Sequence, residues 1–501
     1  MKKIFVKTFG CQGNAQPDSK RRSNFSLVPS SKLSSPESGM TSKCPHVYIK
    51  TFGCQANVRD SEFVEGILLE RGFAKAKDIE AADVILFNSC SVRKHAEDKL
   101  FSNIAELKFL KKKNPRLIIG LMGCTAQNYK SEALKRAPLV DFACGPGNEA
   151  EIPDILAGII DDRCRVVAVD KVHAPRPELF PKYREGDFKA YVSISEGCDN
   201  FCSYCIVPYV RGRERSRKMG DIVREVKDLA ERGFKEITLL GQNVNSYGRS
   251  AYSVERIAHM NDKKLSAKRY PLNAKHGDFI HLLEALNRIN GIKRIRFMTS
   301  HPKDATEDLF KAMRDLDKVC EHLHLPLQSG SDRILKLMNR GYTSGKYMRL
   351  VDSYKKVVPG GSITSDVVVG FPTETDRDFK RSLKLMEEAG FDSTFLFKYS
   401  PRPPAKSAKL VDDVSEKVKK ERLDILLKAQ CRISESRNAV LVGKVVEMLV
   451  EGNSDRSPGA LIGRSRENKN IICKASDEMI GKIINVKVNS VTPYALKGEI
   501  V

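Results

Sequence analysis

No stretch of roughly eighteen or more uncharged apolar residues occurs in this chain of 501 residues, so a membrane-spanning helix is not expected. Nor does an apolar run continue beyond Met1-Lys-Lys-Ile-Phe-Val, because Lys7 interrupts it, and a secretory signal is not expected either. Acidic residues are in short supply. The 63 Asp and Glu stand against 86 Lys and Arg, a formal net charge of +23. That imbalance points to a polyanionic partner, with nucleic acid as the leading candidate and mere solubility as the alternative. Trp is absent altogether, and nothing about function turns on it. The thirteen Cys are odd in number and irregularly spaced. They make a poor disulfide framework and a better reservoir of metal ligands in a reducing, cytoplasmic setting.

The absence that matters most is local. Glu196-Gly-Cys-Asp-Asn-Phe-Cys-Ser-Tyr-Cys205 places thiols at Cys198, Cys202 and Cys205, and neither His nor Cys follows within about thirty residues. A structural zinc site takes four protein ligands. Iron-sulfur clusters normally take four thiolates, so three around a four-iron cluster leave one iron open to a small chelating molecule. S-adenosylmethionine, with its amino and carboxylate groups, suits that iron.

Upstream, Lys3-Ile-Phe-Val-Lys-Thr-Phe-Gly-Cys-Gln-Gly-Asn14 recurs as His46-Val-Tyr-Ile-Lys-Thr-Phe-Gly-Cys-Gln-Ala-Asn57, with Cys11 and Cys54 in register. The first copy dissolves into a Ser-, Pro- and Lys-rich linker, whereas the second runs into the helical pattern of Phe63, Ile67, Leu68 and Phe73. Residues 1–44 thus read as a duplicated strand plus linker, with a misplaced start or a swapped strand as alternatives. Cys54 is taken as the functional copy. Over 45–183, strands at Val47, Val84 and Leu117 alternate with helices, the signature of a parallel sheet. Each of these strands is followed within a few residues by a Cys: Cys54, Cys90 and Cys124. Carboxyl ends of such strands lie along one rim, where ligands bind. Three thiols at equivalent rim positions can share one ligand, whereas Cys44, Cys144, Cys164, Cys320, Cys431 and Cys473 fit no such pattern and read as structural.

Strand and helix patterns continue over 184–433, as expected of a complete or partial β/α barrel with its chemistry at the strand carboxyl ends. That makes Gln242, Asn243, Asn245, Ser300, His301, Gln328, Ser329 and Asp366 cavity candidates, with Gln242, Gln328, Ser329 and Asp366 preferred for cofactor binding. His301 and His324 also suit plain packing. Immediately after the three-Cys loop, Arg211, Arg213, Arg215, Arg217 and Lys218 crowd into eight residues, a pattern for phosphate contact rather than a merely solvated face. The polar stretch 250–277 reads as a surface insertion. Residues 434–501 carry short strands with Gly turns, the pattern of a small antiparallel β-barrel. Arg464, Arg466, Lys469, Lys487 and Lys497 would make it a basic RNA platform; an inert cap is the alternative.

From His46 to Val501, apart from 250–277, these residues resemble the radical S-adenosylmethionine methylthiotransferases. Within that family they resemble the tRNA-2-methylthio-N6-dimethylallyladenosine synthases. The resemblance is carried by Thr51-Phe-Gly-Cys-Gln-Ala-Asn57, Asn88-Ser-Cys-Ser-Val-Arg93, Gly120-Leu-Met-Gly-Cys124, the three-Cys loop, Val207-Pro-Tyr-Val-Arg-Gly-Arg-Glu-Arg-Ser-Arg217, Leu240-Gly-Gln-Asn-Val-Asn-Ser-Tyr247 and His324-Leu-Pro-Leu-Gln-Ser-Gly-Ser-Asp332. It implies a four-iron cluster on Cys198, Cys202 and Cys205 that cleaves S-adenosylmethionine to a 5′-deoxyadenosyl radical. It also implies an auxiliary four-iron cluster on Cys54, Cys90 and Cys124 that presents sulfur, and a C-terminal TRAM domain. The implied reaction puts a methylthio group on carbon 2 of N6-isopentenyladenosine at position 37 of tRNA, with the methyl from a second S-adenosylmethionine. An unpaired anticodon-loop base can be splayed out and read. The partners it implies are tRNA, a sulfur donor and an electron donor such as flavodoxin or ferredoxin, with the protein a monomer. The alternatives are a threonylcarbamoyladenosine or ribosomal-protein target, or a noncatalytic iron-sulfur RNA-binding protein. Two positions depart from the family: Thr373 stands where Gly is usual, and Pro401-Arg-Pro-Pro-Ala-Lys406 replaces Arg-Pro-Gly-Thr-Pro.

Overall fold

The computed structural model describes residues 4–6, 44–92, 94–162, 164–169, 181–249, 277–455 and 457–501, so Cys11 and most of the 250–277 stretch lie outside the described residues. The chain divides into two compact units, one of residues 1–52, 64–89 and 96–174, the other of 53–63, 90–95 and 175–501.

The first unit is built on a seven-stranded sheet. Its strands are β1 (Ile4–Val6), β2 (His46–Phe52), β3 (Ala74–Lys75), β4 (Val84–Ser89), β5 (Ile118–Met122), β6 (Phe142–Cys144) and β7 (Arg165–Ala168). They lie in the order β1-β7-β6-β5-β4-β2-β3, every pair parallel. Strands β4 and β5 are buried along their whole length, which is why they read as near-continuous apolar runs. Ile85, Phe87, Ile119 and Leu121 form the heart of this core. The repeat in the sequence is resolved by position. The second copy, β2, pairs with β4, whereas the first, β1, extends the opposite edge beside β7.

In the second unit, six parallel strands form an open barrel of two sheets, in the orders β12-β11-β8 and β13-β14-β15. The strands are β8 (Lys189–Ser193), β11 (Glu236–Leu240), β12 (Arg294–Phe297), β13 (His322–His324), β14 (Ser362–Val369) and β15 (Ser393–Lys398). A parallel bridge between Ile295 and Val319 joins the sheets. A short ribbon of β9 (Ser195–Glu196) and β10 (Arg215–Ser216) brackets the three-Cys loop. The barrel is therefore partial, packed by Val192, Ile237, Leu239, Ile295, Leu323 and Val367.

After the helix Glu416–Ala439, strands β16 (Val445–Asn453), β17 (Leu461–Ser465), β18 (Asn470–Cys473), β19 (Ile483–Val491) and β20 (Leu496–Ile500) close a small barrel in the order β16-β17-β18-β20-β19. It is not wholly antiparallel, because β18 and β20 run parallel. A closed ring of five strands cannot alternate direction all the way round, so one pair must. Arg294, buried at the start of β12, holds this barrel to the larger one: its Nε and Nη2 reach Glu447 Oε1 at 2.9 and 2.7 Å, and its Nη1 donates to the Arg464 carbonyl at 2.8 Å. Arg296 donates to the carbonyls of Arg466 and Ser465 at 2.8 and 2.6 Å. No helix among the described residues is long and apolar enough to cross a membrane.

Candidate functional site: two groups of thiols

Strand β8 delivers the three-Cys loop to the open barrel's carboxyl-end rim. Gly197 has φ 75°, and a Cβ there would meet the Arg213 carbonyl oxygen at 2.1 Å, so only glycine lets the loop pass this close to the Gly212–Arg213 backbone. The loop is then fastened to the segment after the helix Asp332–Leu337. Ser203 N donates to the Met338 carbonyl at 3.0 Å, its hydroxyl to the Leu337 carbonyl at 2.8 Å, and Asn339 Nδ2 to the carbonyls of Asn200 and Phe201 at 3.2 and 3.1 Å. Cys198 and Cys202 are buried and Cys205 half-buried. Burial pushes the Cys198 thiol up to about 11 and Cys205 to about 12. Arg340, also buried, donates from Nη1 to Cys202 Sγ at 3.2 Å.

Beside this loop, a cleft is lined by Arg59, Asp60, Ser195, Glu196, Arg211 and Gln242. Arg211 pairs with Asp60 at 2.6 Å, and Arg59 stands 3.9 Å from Glu196. Five buried polar atoms at the carboxyl ends of β8, β11 and β12 have no hydrogen-bond partner among the described residues: Ser195 Oγ, Gln242 Oε1, Asn243 Oδ1, Ser300 Oγ and His301 Nε2. Buried polar atoms normally have partners, so this rim has unspent capacity for a polar ligand. Burial, then Arg340 and Lys303, pushes His301 far below the usual imidazole range. Its Nδ1 accepts from Lys303 N at 3.2 Å, which leaves the proton of the neutral ring on Nε2 as a donor. Glu214, hydrogen-bonded by the Ser246 hydroxyl at 2.6 Å, is raised by burial to about 7.

Cys54 sits two residues beyond β2, at the start of the helix Gln55–Glu70. Gly53 before it has no room for a Cβ, which would stand 2.4 Å from Asn57 Oδ1; that same oxygen accepts from Cys54 N at 3.3 Å. The Thr-Phe-Gly-Cys-Gln-Ala-Asn motif is thus a tight cap that sets the thiol. Cys54 is exposed and hydrogen-bonds the Cys90 side chain. That bond, then Arg211 and the helix's first amides, lowers its thiol to about 5, and partial burial of the sulfur works the other way. Cys124 follows β5 by two residues, buried at the start of the helix Cys124–Tyr129 in the other unit. Among the described residues, no three Cys, His, Asp or Glu side chains gather around a single ion. Thiolates that each bind a different iron of a cluster need not do so.

The remaining expected residues divide. Gln242 lines the cleft. Gln328 takes φ 69° in a parallel bridge to Val367, its N donating to the Asp366 carbonyl at 2.7 Å, while Asp366 Oδ2 lies 3.6 Å from His324 Nε2. Ser329 is used locally, 3.3 Å from Ser382 Oγ. The arginine run is tied largely to carboxylates of the chain itself: besides Arg211 with Asp60, Arg213 pairs with Asp199 at 2.7 Å, Arg215 stands 3.9 Å from Glu196, and Arg217 reaches Glu225 at 2.6 Å. Arg213 remains 65% exposed and Arg217 only 13%. Arg466 pairs with Glu321 through Nε and Nη2, at 2.9 and 2.8 Å, and Arg464 reaches Asn468 at 3.2 Å. Thr373 takes φ 70°, the left-handed backbone that glycine adopts freely. Arg333 and Asp413 hold it, donating to Thr373 Oγ1 at 3.1 Å and accepting from Thr373 N at 2.7 Å respectively. The Pro403–Pro404 peptide is cis. Sequence reasoning passed over Asp60, Glu214 and Arg340. No local pattern marks them, because Arg211, Ser246 and Cys202, which they respectively face, lie 151, 32 and 138 residues away along the chain.

Comparison with known proteins agrees along almost the whole length. The Radical SAM superfamily matches residues 192–386, the TRAM domain residues 439–501, and the uncharacterized protein family UPF0004 residues 46–145. A tRNA-2-methylthio-N(6)-dimethylallyladenosine synthase of Thermoanaerobacter sp. (strain X514) is 44% identical over 446 residues, covering 89% of this chain and 90% of the relative. Relatives of the same description from Acetivibrio thermocellus and Clostridium perfringens (strain SM101 / Type A) are 44% and 41% identical, covering 88% of this chain in each case and 88% and 94% of the relatives.

Proposed function

This chain belongs to the family of tRNA-2-methylthio-N6-dimethylallyladenosine synthases, and we propose that it replaces the hydrogen on carbon 2 of N6-dimethylallyladenosine in tRNA by a methylthio group. The observation that carries this reading is 44% identity sustained over nine-tenths of both chains. The nucleoside is taken to be at position 37, in the anticodon loop. Cys198, Cys202 and Cys205 would hold one four-iron cluster. Their number suits it, since three thiolates leave an iron for S-adenosylmethionine, and so does the nearby unspent polar capacity of Ser195, Gln242, Asn243, Ser300 and His301. Cys54, Cys90 and Cys124 would hold the second cluster, each following one of the adjacent parallel strands β2, β4 and β5.

When bound, these groups supply one-electron cleavage of S-adenosylmethionine, a sulfur atom and a methyl group, none of which a protein side chain can provide. The chain's own part is to bind and to orient. His301 Nε2–H can donate to a carboxylate of the ligand, and Gln242 Oε1 can accept from its amine. The small barrel would contribute to tRNA binding through Lys487 and Lys497, exposed on the paired strands β19 and β20, with the exposed ring of Tyr494 in the turn between them. Arg213 and Arg464 are the more exposed of the other candidate arginines. A sulfur donor, a low-potential electron donor such as flavodoxin or ferredoxin, and a monomer in the cytoplasm complete the reading. The test is anaerobic reconstitution with iron and sulfide, then nucleoside mass spectrometry of tRNA bearing N6-dimethylallyladenosine. A 2-methylthio product supports the reading, and none from fully loaded protein overturns it.

A further inference from the structure

Arg340 is 5% exposed. A guanidinium keeps its proton at any ordinary pH, so burying one demands an anion close by. Its hydrogen-bond partners are few. Nε donates to Tyr342 Oη at 3.0 Å, Nη2 to the Pro326 carbonyl at 3.2 Å and Nη1 to Cys202 Sγ at 3.2 Å. No Asp or Glu among the described residues pairs with it. Burial raises the Tyr342 phenol, which therefore stays neutral, and a peptide carbonyl carries no net charge. The one contacting group that can become an anion is the Cys202 thiol, and it does so when it binds iron.

Resting on the assignment of Cys198, Cys202 and Cys205 as cluster ligands, we infer that Arg340 is the built-in counter-cation of that cluster and raises its reduction potential. One-electron reduction makes a thiolate-bound cluster one unit more negative, with no bond made or broken and no proton moved. A fixed cation in contact with one of the sulfurs stabilises the reduced state more than the oxidised one. The effect is enlarged in a dry surrounding, and hydrogen bonds to cluster sulfurs are known to set potential. Arg340 cannot swing away, because Tyr342 and Pro326 hold two of its three nitrogens. Tyr342 Oη is itself anchored, 2.8 Å from the Leu327 carbonyl. Arg340 is thus a positioning residue that eases the electron's arrival without touching substrate.

The test uses full-length protein carrying Cys54→Ala, Cys90→Ala and Cys124→Ala, so that a single cluster remains. It is reconstituted anaerobically with iron and sulfide and titrated with dithionite while the paramagnetic reduced cluster is followed. Arg340→Gln should take up the same iron, yet at a fixed potential its ratio of reduced to oxidised cluster should fall about tenfold, equivalent to about 59 mV for one electron. Arg340→Lys keeps the charge but not the fork, and should lose about threefold. If Arg340→Gln does not fold or load, Arg340→Lys decides. An unchanged ratio at full iron content overturns the role of Arg340 and leaves the ligand assignment standing. If the parent protein takes up no iron, the ligand assignment itself fails.

Discussion

Cys198 and Cys205 have their thiols pushed up to about 11 and about 12 by burial, whereas Cys54, hydrogen-bonded to Cys90 and facing Arg211, is drawn down to about 5. The first group is buried except for half-buried Cys205 and braced by the hydrogen bond from Ser203 N to the Met338 carbonyl, with Arg340 in contact at Cys202. The second begins at an exposed helix start whose amides and neighbouring cation already favour a thiolate. Burial adds roughly 3 to 4 kcal/mol each to the cost of ionising Cys198 and Cys205 without metal. That cost falls away only when iron binds, so loading and local order should be coupled there. At Cys54 the surroundings already favour the thiolate. Exposure does not separate the two groups, since Cys90 and Cys124 are buried as Cys198 and Cys202 are; what differs is charge. Under the proposed assignment that difference suits a division of labour between a group that ionises only on taking up iron and starts the radical, and a group that presents sulfur.

The comparison can be broken in steps. Cys202→Ala should abolish cleavage of S-adenosylmethionine, with 5′-deoxyadenosine falling below about a thousandth of the parent's yield, because no side chain substitutes for that cluster; liquid chromatography of the nucleosides checks it. In metal-free protein at pH 7, iodoacetamide should label Cys54 far ahead of Cys198 and Cys205. The thiolate fractions differ by about four orders of magnitude for Cys198 and about five for Cys205, partly offset by the weaker nucleophilicity of the more acidic thiol. Labelling of Cys54 should decline as pH falls through about 5, as peptide mass spectrometry can show.

Glu214, which raises the Cys198 thiol further, sharpens the comparison from the triad's side. Its carboxyl is raised from 4.5 to about 7. The stability it lends is therefore complete below about pH 4.5 and lost as pH rises through about 7, a swing of about 3 kcal/mol. Denaturant unfolding of Glu214→Gln should lack that slope; a parallel decline in both proteins would contradict it. Thr373→Gly, away from both thiol groups, should change stability by less than about 1 kcal/mol. Relief of the left-handed backbone is nearly cancelled by glycine's greater freedom when unfolded and by the lost hydroxyl contact with Arg333.

What could be read from the sequence was whatever is local. Cys198, Cys202 and Cys205 sit within eight residues, and Cys54, Cys90 and Cys124 each follow an apolar run, so spacing and periodicity found them. The strands of both parallel systems were legible for the same reason. Long-range partners were not. The arginine run reads as phosphate-seeking, yet Arg211 answers Asp60, 151 residues away, and Arg466 answers Glu321, 145 residues away. The parallel β18–β20 closure follows from strand count rather than from any residue. Arg340 carries no signal until the Cys202 sulfur is seen beside it.

The most direct test is Cys54→Ala, assayed anaerobically for two products at once. The division of labour predicts that 5′-deoxyadenosine is still released while no 2-methylthio nucleoside forms in the tRNA. Loss of both products together, or survival of the methylthio product, would contradict it.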